Sequence, residues 1–365
     1  MSIASLAPDY IRAIMAYQPG KPISELAREM GIAEESIVKL ASNENPLGMS
    51  VRARDAAIAA IGEISRYPDG GAFALKKALC ARFGVEPAQL VIGNGSNDIL
   101  ELASQAFLAP GLSAVYSRHA FAVYPLATNA RGARGIEVAA KNFGHDLDAM
   151  AAAIEPQTRV VFIANPNNPT GTFVPGAELE AFLAEVPRHV LVVLDEAYTE
   201  YLDESRRYDS VAWLARFPNL LVCRTFSKAY GLAGLRVGYG LGHPEVIDLL
   251  NRVRQPFNVS SIALAAATAA LDDQDFLIRS AELNRAGMAR IAAAMNEMGL
   301  ETIPSSGNFV TVKVGDAAGV NRRLLEQGVI VRPIAGYGMP EWLRVSIGLE
   351  SENARFIDAL RLALA

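Results

Sequence analysis

Residues 222–238 read VCRTFSKAYGLAGLRVG. The apolar run Leu220-Leu221-Val222-Cys223 predicts a buried strand, which delivers Thr225, Ser227 and Lys228 into a turn of small residues. Arg236 follows Lys228 by eight positions. Burial disfavours the charged form of a lysine, and a neutral amine adds to a carbonyl to form a Schiff base. The Ser227 hydroxyl and the Arg236 guanidinium suit a phosphate. A Ser-Lys pair also occurs in ordinary surface loops, so the assignment turns on two further stretches.

Those stretches are Asn165-Pro166-Asn167-Asn168-Pro169-Thr170-Gly171 and Val192-Val193-Leu194-Asp195-Glu196-Ala197-Tyr198. Each follows an apolar run, 160–164 and 190–194, and so sets polar residues at the carboxyl end of a predicted parallel strand, where open α/β sheets bind ligands. From Gly135 to Gly240 strand-like runs (136–140, 159–164, 189–194, 219–223, 234–239) alternate with helical ones (147–153, 177–186, 210–216). Such alternation predicts an α/β fold, a mostly parallel sheet sandwiched by helices. Near residue 255 the pattern changes. Helical stretches at 261–271 and 275–298 lead to strands predicted at 308–313, 329–332 and 342–347, a smaller α+β unit. The expected division is an amino-terminal arm, 1–40, belonging to the small domain; a large domain, 41–255; and a carboxyl-terminal small domain, 256–365. A long helix is expected to bridge the two domains.

Composition narrows the class. A chain of 365 residues, 51% hydrophobic and 20% charged, has room for two folded domains. The net charge of −5 and the isolated basic pairs Arg206-Arg207 and Arg322-Arg323 give no footprint for nucleic acid. Cys80 and Cys223 lie far apart and are expected as free thiols in a reducing compartment. The amino terminus lacks the basic start and apolar core of a secretory signal. The uncharged apolar run Ile262–Leu271 falls short of the ~20 residues of a membrane span. A cytoplasmic location with no membrane partner is expected. His119, His145, His189 and His243 show no metal-ligand spacing, so no metal is assigned.

Further candidates lie along the chain. Val91-Ile92-Gly93-Asn94-Gly95-Ser96-Asn97-Asp98 runs into a helical pattern, and glycines at a strand-to-helix turn let backbone amides approach an anion. Asp98 stands where a dinucleotide fingerprint needs its third glycine, and its carboxylate opposes a pyrophosphate. A single phosphate contacted by Gly95, Ser96 and Asn97 fits better. Tyr67, held extended by Pro68, projects its hydroxyl. Phe121 follows another strand end and reads either as core or as a stacking ring. Arg332 and Arg344 sit among strand residues, where a charge needs an anionic partner, a salt bridge or solvent.

The order Asn168, Asp195 with Tyr198, Ser227-Lys228, Arg236 resembles that of pyridoxal-phosphate (PLP) aminotransferases of the aspartate-aminotransferase fold, PLP-dependent transferase fold type I. The resemblance implies that Asp195 keeps the pyridine nitrogen protonated and that Asn168 and Tyr198 bond the phenolic oxygen. Lys228 would hold the aldehyde, Phe121 would stack on the ring, and Thr225, Ser227 and Arg236 would line the phosphate site with Gly95, Ser96 and Asn97. Tyr67 would reach the phosphate of the neighbouring subunit, so that the site is complete only in a homodimer. A cis peptide at Asn168-Pro169 is also implied.

Over nearly its whole length the chain is similar to the histidinol-phosphate aminotransferase family. The matching motifs are Tyr17-x-Pro-Gly-Lys, Asn43-Glu44-Asn45-Pro46, Arg66-Tyr67-Pro68, Asn168-Pro169-Thr170-Gly171 and the Lys228–Arg236 segment. Tyr17, Asn45, Arg332 and Arg344 then become the expected substrate contacts, the arginines meeting the substrate phosphate or the carboxylates of glutamate. The implied reaction is L-histidinol phosphate plus 2-oxoglutarate giving imidazole-acetol phosphate plus L-glutamate, with ping-pong kinetics. The segment Val331–Pro340 also resembles relatives that accept phenylalanine and tyrosine. A phosphothreonine decarboxylase on the same fold is a further alternative.

Overall fold

The computed structural model describes residues 2–16 and 20–365; Tyr17 lies outside them. In chain order the strands are β1 (Val38–Lys39), β2 (Leu90–Gly93), β3 (Ser113–Ser117), β4 (Arg134–Val138), β5 (Thr158–Ala164), β6 (Leu191–Asp195), β7 (Leu220–Thr225), β8 (Gly238–Gly242), β9 (Thr302–Ile303), β10 (Phe309–Lys313), β11 (Val329–Ile330), β12 (Arg332–Pro333) and β13 (Trp342–Ser346).

A seven-stranded sheet has the order β2-β8-β7-β6-β5-β3-β4. Its strands β4, β3, β5, β6 and β7 pair in parallel, while β8 runs antiparallel to both β7 and β2. Side chains alternate between two cores, as the two-residue period of a strand requires. Val161, Ile163, Val192, Leu194 and Val222 enter one. Val160, Phe162, Leu191, Val193 and Leu221 enter the other. Burial on both faces explains why these strands read as unbroken apolar runs rather than as alternating ones.

The strand expected at 234–239 begins later. Ala233–Leu235 is a 3-10 turn and β8 starts at Gly238. A Cβ at Gly238 would come 2.5 Å from the Ser96 backbone nitrogen, so the strand lies this close to the following helix start only because the residue is glycine. The helix expected at 210–216 contracts to the 3-10 turn Ala212–Ala215.

The second sheet has the order β12-β13-β10-β9, with antiparallel pairing throughout. The single strand expected at 329–332 divides because its halves have different partners: β11 pairs with β1 in parallel, and β12 pairs with β13. That first pairing ties the amino-terminal arm to the carboxyl-terminal unit, whose core joins Val38 and Leu40 to Val310, Leu343 and Phe356.

Packing departs from a boundary at residue 255. The helix Ser261–Leu271 contributes Ala263, Ala266, Ala267 and Ala270 to a core of the large sheet, and Leu277 joins it. The next helix, Gln274–Glu297, reaches the small core at Ile291, Ala294 and Met295, and so bridges the two units. Cys80 and Cys223 are free thiols. Among the described residues no helix is long and apolar enough to cross a membrane.

Candidate active site

Strands β5, β6 and β7 end side by side. Ala164 is registered with Asp195, and Asp195 with Cys223, so the loops after these strands open together at the carboxyl edge of the sheet. There a cavity of ≈ 190 Å³ is lined by Asp195, Tyr198, Thr225, Ser227, Lys228 and Arg236 from the sheet, with Ser96, Asn97, Phe121 and Asn168 from neighbouring loops. Arg332, Tyr337 and Arg344 enter from the small unit, Gly20 from the amino-terminal arm, and Ser42 and Asn43 from the loop that follows β1.

Asp195 is 5% exposed. Its Oδ2 accepts a hydrogen bond from the Tyr124 hydroxyl at 3.1 Å, while Oδ1 is buried with no partner among the described residues. Burial pushes this carboxyl up to about 6, against the opposing pull of the Tyr124 hydroxyl and the Ala197 amide. An acid with one oxygen satisfied and the other waiting in an apolar site is built to receive a cationic N–H.

Lys228 faces the opposite demand. Its Nζ donates to the Ser42 carbonyl at 3.2 Å and lies 5.8 Å from the centre of the Tyr198 ring. Burial, and after it the charge of Arg344, brings the amine down to about 8, so a sizeable neutral fraction exists near physiological pH. Tyr198 is held by the Asn43 side-chain amide, which donates to its hydroxyl at 2.9 Å, and burial raises the phenol to about 12. Asn43 is fixed in turn by Ser346, whose hydroxyl donates to Asn43 Oδ1 at 3.0 Å and accepts from its backbone N–H at 2.7 Å.

At the other end of the cavity Arg236 adopts a left-handed φ of 54° and donates from Nη1 to Ser227 Oγ at 3.3 Å and to the Ala233 carbonyl at 3.0 Å. Gly95 caps the helix Ser96–Phe107, and a Cβ there would stand 2.6 Å from Arg236 Nη2. A guanidinium, a hydroxyl and the amino end of a twelve-residue helix thus meet as an anion cradle. Asn168 Oδ1 accepts from Arg344 Nη1 at 2.6 Å, and Arg344 Nη2 donates to the Ala41 carbonyl at 2.7 Å. Asn165-Pro166 and Asn168-Pro169 are both cis.

Three expected residues do not line this cavity: Gly95, which stands behind the Arg236 guanidinium, Asn45 and Tyr67. Asn45 is buried elsewhere: its Nδ2 donates to the Ala229 carbonyl and to Ser280 Oγ, both at 2.8 Å, and its Oδ1 accepts from the Leu47 amide at 3.0 Å. With both of its amide hydrogens engaged, Asn45 braces the chain behind Lys228. Tyr67 is 83% exposed and stacks on Phe257, with ring centres 4.7 Å apart, away from the cavity of its own chain. Four contributors escaped the sequence reading: Asn43, Ser42, Tyr124 and Tyr337. Asn43 carried a signal, as an amide in an Asn-Glu-Asn turn that takes a positive φ of 54°. Tyr124 carried none, since a tyrosine in a helix pattern is ordinary core. A larger open cleft of ≈ 1450 Å³, lined by His145, Phe173, Tyr208 and Trp213 among others, holds none of the groups just described.

The sequence model of the class I and II aminotransferases matches residues 35–360. The chain belongs to this family. Among these aminotransferases it is 64% identical to histidinol-phosphate aminotransferase 1 of Thiobacillus denitrificans, over 99% of this chain and 94% of that one. It is also 64% identical to histidinol-phosphate aminotransferase 1 of Dechloromonas aromatica, over the full length of both. The crystal structure of histidinol-phosphate aminotransferase from Sinorhizobium meliloti in complex with pyridoxal-5'-phosphate superposes with a TM-score of 0.90 at 30% identity, covering 99% of this chain and 98% of that one. The chain is therefore an aminotransferase of the histidinol-phosphate group, and its cofactor is PLP. The aminotransferase cavity fits that cofactor on its own chemistry: the orphaned Asp195 Oδ1 matches a ring N–H, and the cradle at Gly95 and Arg236 matches a phosphate.

Proposed function

We propose that this chain moves the amino group of L-histidinol phosphate to 2-oxoglutarate, giving imidazole-acetol phosphate and L-glutamate, a step of L-histidine biosynthesis. The observation that carries the substrate is the pairing of Arg332 and Arg344 at the cavity that holds Lys228. Two arginines lining one cavity suit an anionic group distant from the reacting amine, which both a phosphate ester and the side chain of glutamate provide. The names of the full-length relatives support the same choice.

PLP, when bound, supplies a carbonyl that captures an amine and a ring that takes up electron density. The protein does the rest. Asp195 Oδ1 holds a proton at the ring nitrogen, and Asn168 with Tyr198 supplies hydrogen bonds to the ring oxygen. Ser96, Asn97, Thr225, Ser227 and Arg236 hold the phosphate, while Phe121 covers the ring. Lys228 Nζ, once free and neutral, takes the proton from the substrate carbon and returns it on the other side of the exchange. Arg332 and Arg344 fix the far anion, so that the reacting carbon stays within reach of that amine. Tyr17 belongs to this proposal as a further substrate contact from the arm.

The deciding measurement is kcat/KM for histidinol phosphate against phenylalanine and tyrosine with 2-oxoglutarate as acceptor. Preference for either aromatic amino acid would overturn the substrate, and release of CO₂ would mark a decarboxylase.

The working unit is proposed to be a cytoplasmic homodimer in which Tyr67 serves the neighbouring site. The exposed ring of Tyr67 and the free thiols support this reading. Mixing Lys228→Ala with Tyr67→Ala protein tests it, because a mixed dimer carries one site with both residues intact. Activity above either parent is expected; no recovery on subunit exchange rejects the shared site.

A further inference from the structure

We propose that Tyr124 is a positioning residue for the cofactor ring: its hydroxyl claims one oxygen of Asp195, keeps the carboxylate ionised and leaves the second oxygen turned to the ring nitrogen. The inference rests on the PLP reading of this cavity but not on any choice of substrate.

The geometry sorts the two oxygens of one acid. Oδ2 accepts from Tyr124 at 3.1 Å, and Oδ1 has no partner among the described residues. A carboxylate bonded on one side cannot rotate without breaking that bond, so its free oxygen is aimed before any ligand arrives. Tyr124 can do this because it is itself immobile. It is fully buried, its ring lies parallel to Phe162 on β5 at 4.8 Å, and it meets Phe121 edge-on at 5.9 Å. Its backbone carbonyl accepts from Thr128 Oγ1 at 2.8 Å, one turn along the helix Val123–Ala130. Phe121 lines the cavity, so the tyrosine couples the ring that covers the cofactor to the acid at its edge.

Electrostatics around Asp195 make the hydroxyl consequential. Glu196 on the same strand end and the nearby Cys223 and Tyr198 oppose its negative charge or add nothing to hold it, whereas Lys228 supports it. Burial is the largest opposing influence, and the Tyr124 hydrogen bond is the largest of those that keep the carboxylate anionic. Burial and the neighbouring Asp195 hold the Tyr124 phenol far above its ordinary range, so it donates throughout the working range of pH.

The test is PLP titration of purified full-length apoprotein, followed by visible absorbance across pH, for wild type, Tyr124→Phe, Asp195→Asn and the double variant. Tyr124→Phe deletes one oxygen and keeps both ring contacts. Its PLP affinity near neutral pH is expected to fall by about tenfold or more, the loss of a hydrogen bond to a charged group. The acid limb of its binding curve moves to higher pH, since Asp195 then holds its proton more tightly. In the Asp195→Asn background the same change costs no further affinity, because there is no charge left to hold. An acid limb that stays in place, or a loss that adds in full to that of Asp195→Asn, overturns the proposal and leaves Tyr124 a packing residue. The double variant strands no buried charge and is the form to compare with Asp195→Asn should the single variant fold poorly. None of these readouts depends on which amine is the substrate, so a failed substrate assignment is told apart from a failed role for Tyr124.

Discussion

Arg332 on β12 and Arg344 on β13 are directly opposed cross-strand partners, two like charges in register at the mouth of one cavity. Like charges directly opposed across two strands repel, and an anion bound beside both offsets that repulsion. The two arginines differ in their other duties. Arg344 is 6% exposed and bonded to Asn168 and to the Ala41 carbonyl, whereas Arg332 is half-buried. Arg332→Ala should therefore raise KM for the phosphate-bearing donor with little change in kcat, lowering kcat/KM by about tenfold to a hundredfold. Arg344→Lys should depress kcat as well, because it loosens Asn168. Steady-state kinetics on both variants check this, and an unchanged kcat/KM in Arg332→Ala would remove the substrate anion from that site.

Lys228 sets a pH dependence. Its amine, lowered to about 8, must be neutral to attack a carbonyl, so the rate at which apoprotein captures PLP should climb as pH rises and level off above that value. Stopped-flow absorbance from about pH 6 to about pH 10 measures it, since this range brackets the lowered value and ends below the ordinary lysine value of about 10.4, so that a plateau inside it belongs to the lowered amine. A rate flat across that range, or falling, contradicts a buried amine as nucleophile. Lys228→Ala should bind PLP without the absorbance of the wild-type complex and should show no transamination.

Asp195 should trade stability for function. Its folded-state value of about 6 lies above the ordinary 3.8, so the apoprotein binds this proton more tightly than the unfolded chain does. That contribution is full below the ordinary value and is lost as pH rises through 6. Apo Asp195→Asn lacks the loss, and should exceed apo wild type by up to about 3 kcal/mol near neutral pH, with the gap closing towards pH 4. Turnover should fall at least a hundredfold, roughly the share of a positioned acid or base. Thermal melts of both apo forms at the two pH values decide it; equal gaps at both would show that the carboxyl is not strained by burial.

Gly95 is needed for room. Alanine there must hold a φ of 85° and places its Cβ 2.6 Å from Arg236 Nη2. The guanidinium must swing out of the phosphate cradle. Gly95→Ala is expected to lose about 1–3 kcal/mol of stability, the scale of a residue held in a backbone region that only glycine adopts readily, yet to bind PLP at least tenfold more weakly. Wild-type affinity in this variant would show that Arg236 does not reach the phosphate.

Asn45 separates bracing from catalysis. Loss of its bonds to Ala229 and Ser280 should cost Asn45→Ala about 1–3 kcal/mol of stability while KM for either substrate stays within twofold. A raised KM at unchanged melting temperature would return the residue to the substrate site.

The sequence by itself determined the sheet and the chemistry at its edge. Runs such as 160–164 and 190–194 are apolar because both faces of β5 and β6 are covered, and a parallel strand buried on both sides leaves its polar successors only one place to go, the carboxyl edge. That Asn168, Asp195, Tyr198 and Lys228 gather at that edge was legible for this reason. The tertiary structure alone decided which side chains face them across long separations. Tyr124 reaches Asp195 over 71 positions and Asn43 reaches Tyr198 over 155, and no local period records such a meeting. The same holds for the arginines: each was visible as a charge in an apolar strand, but that they stand opposite one another is a matter of register between β12 and β13. Asn45 shows the same limit: its motif resembles a substrate loop, and only the packing of residues 229 and 280 around it shows that both hydrogens of its side-chain amide bond within the chain.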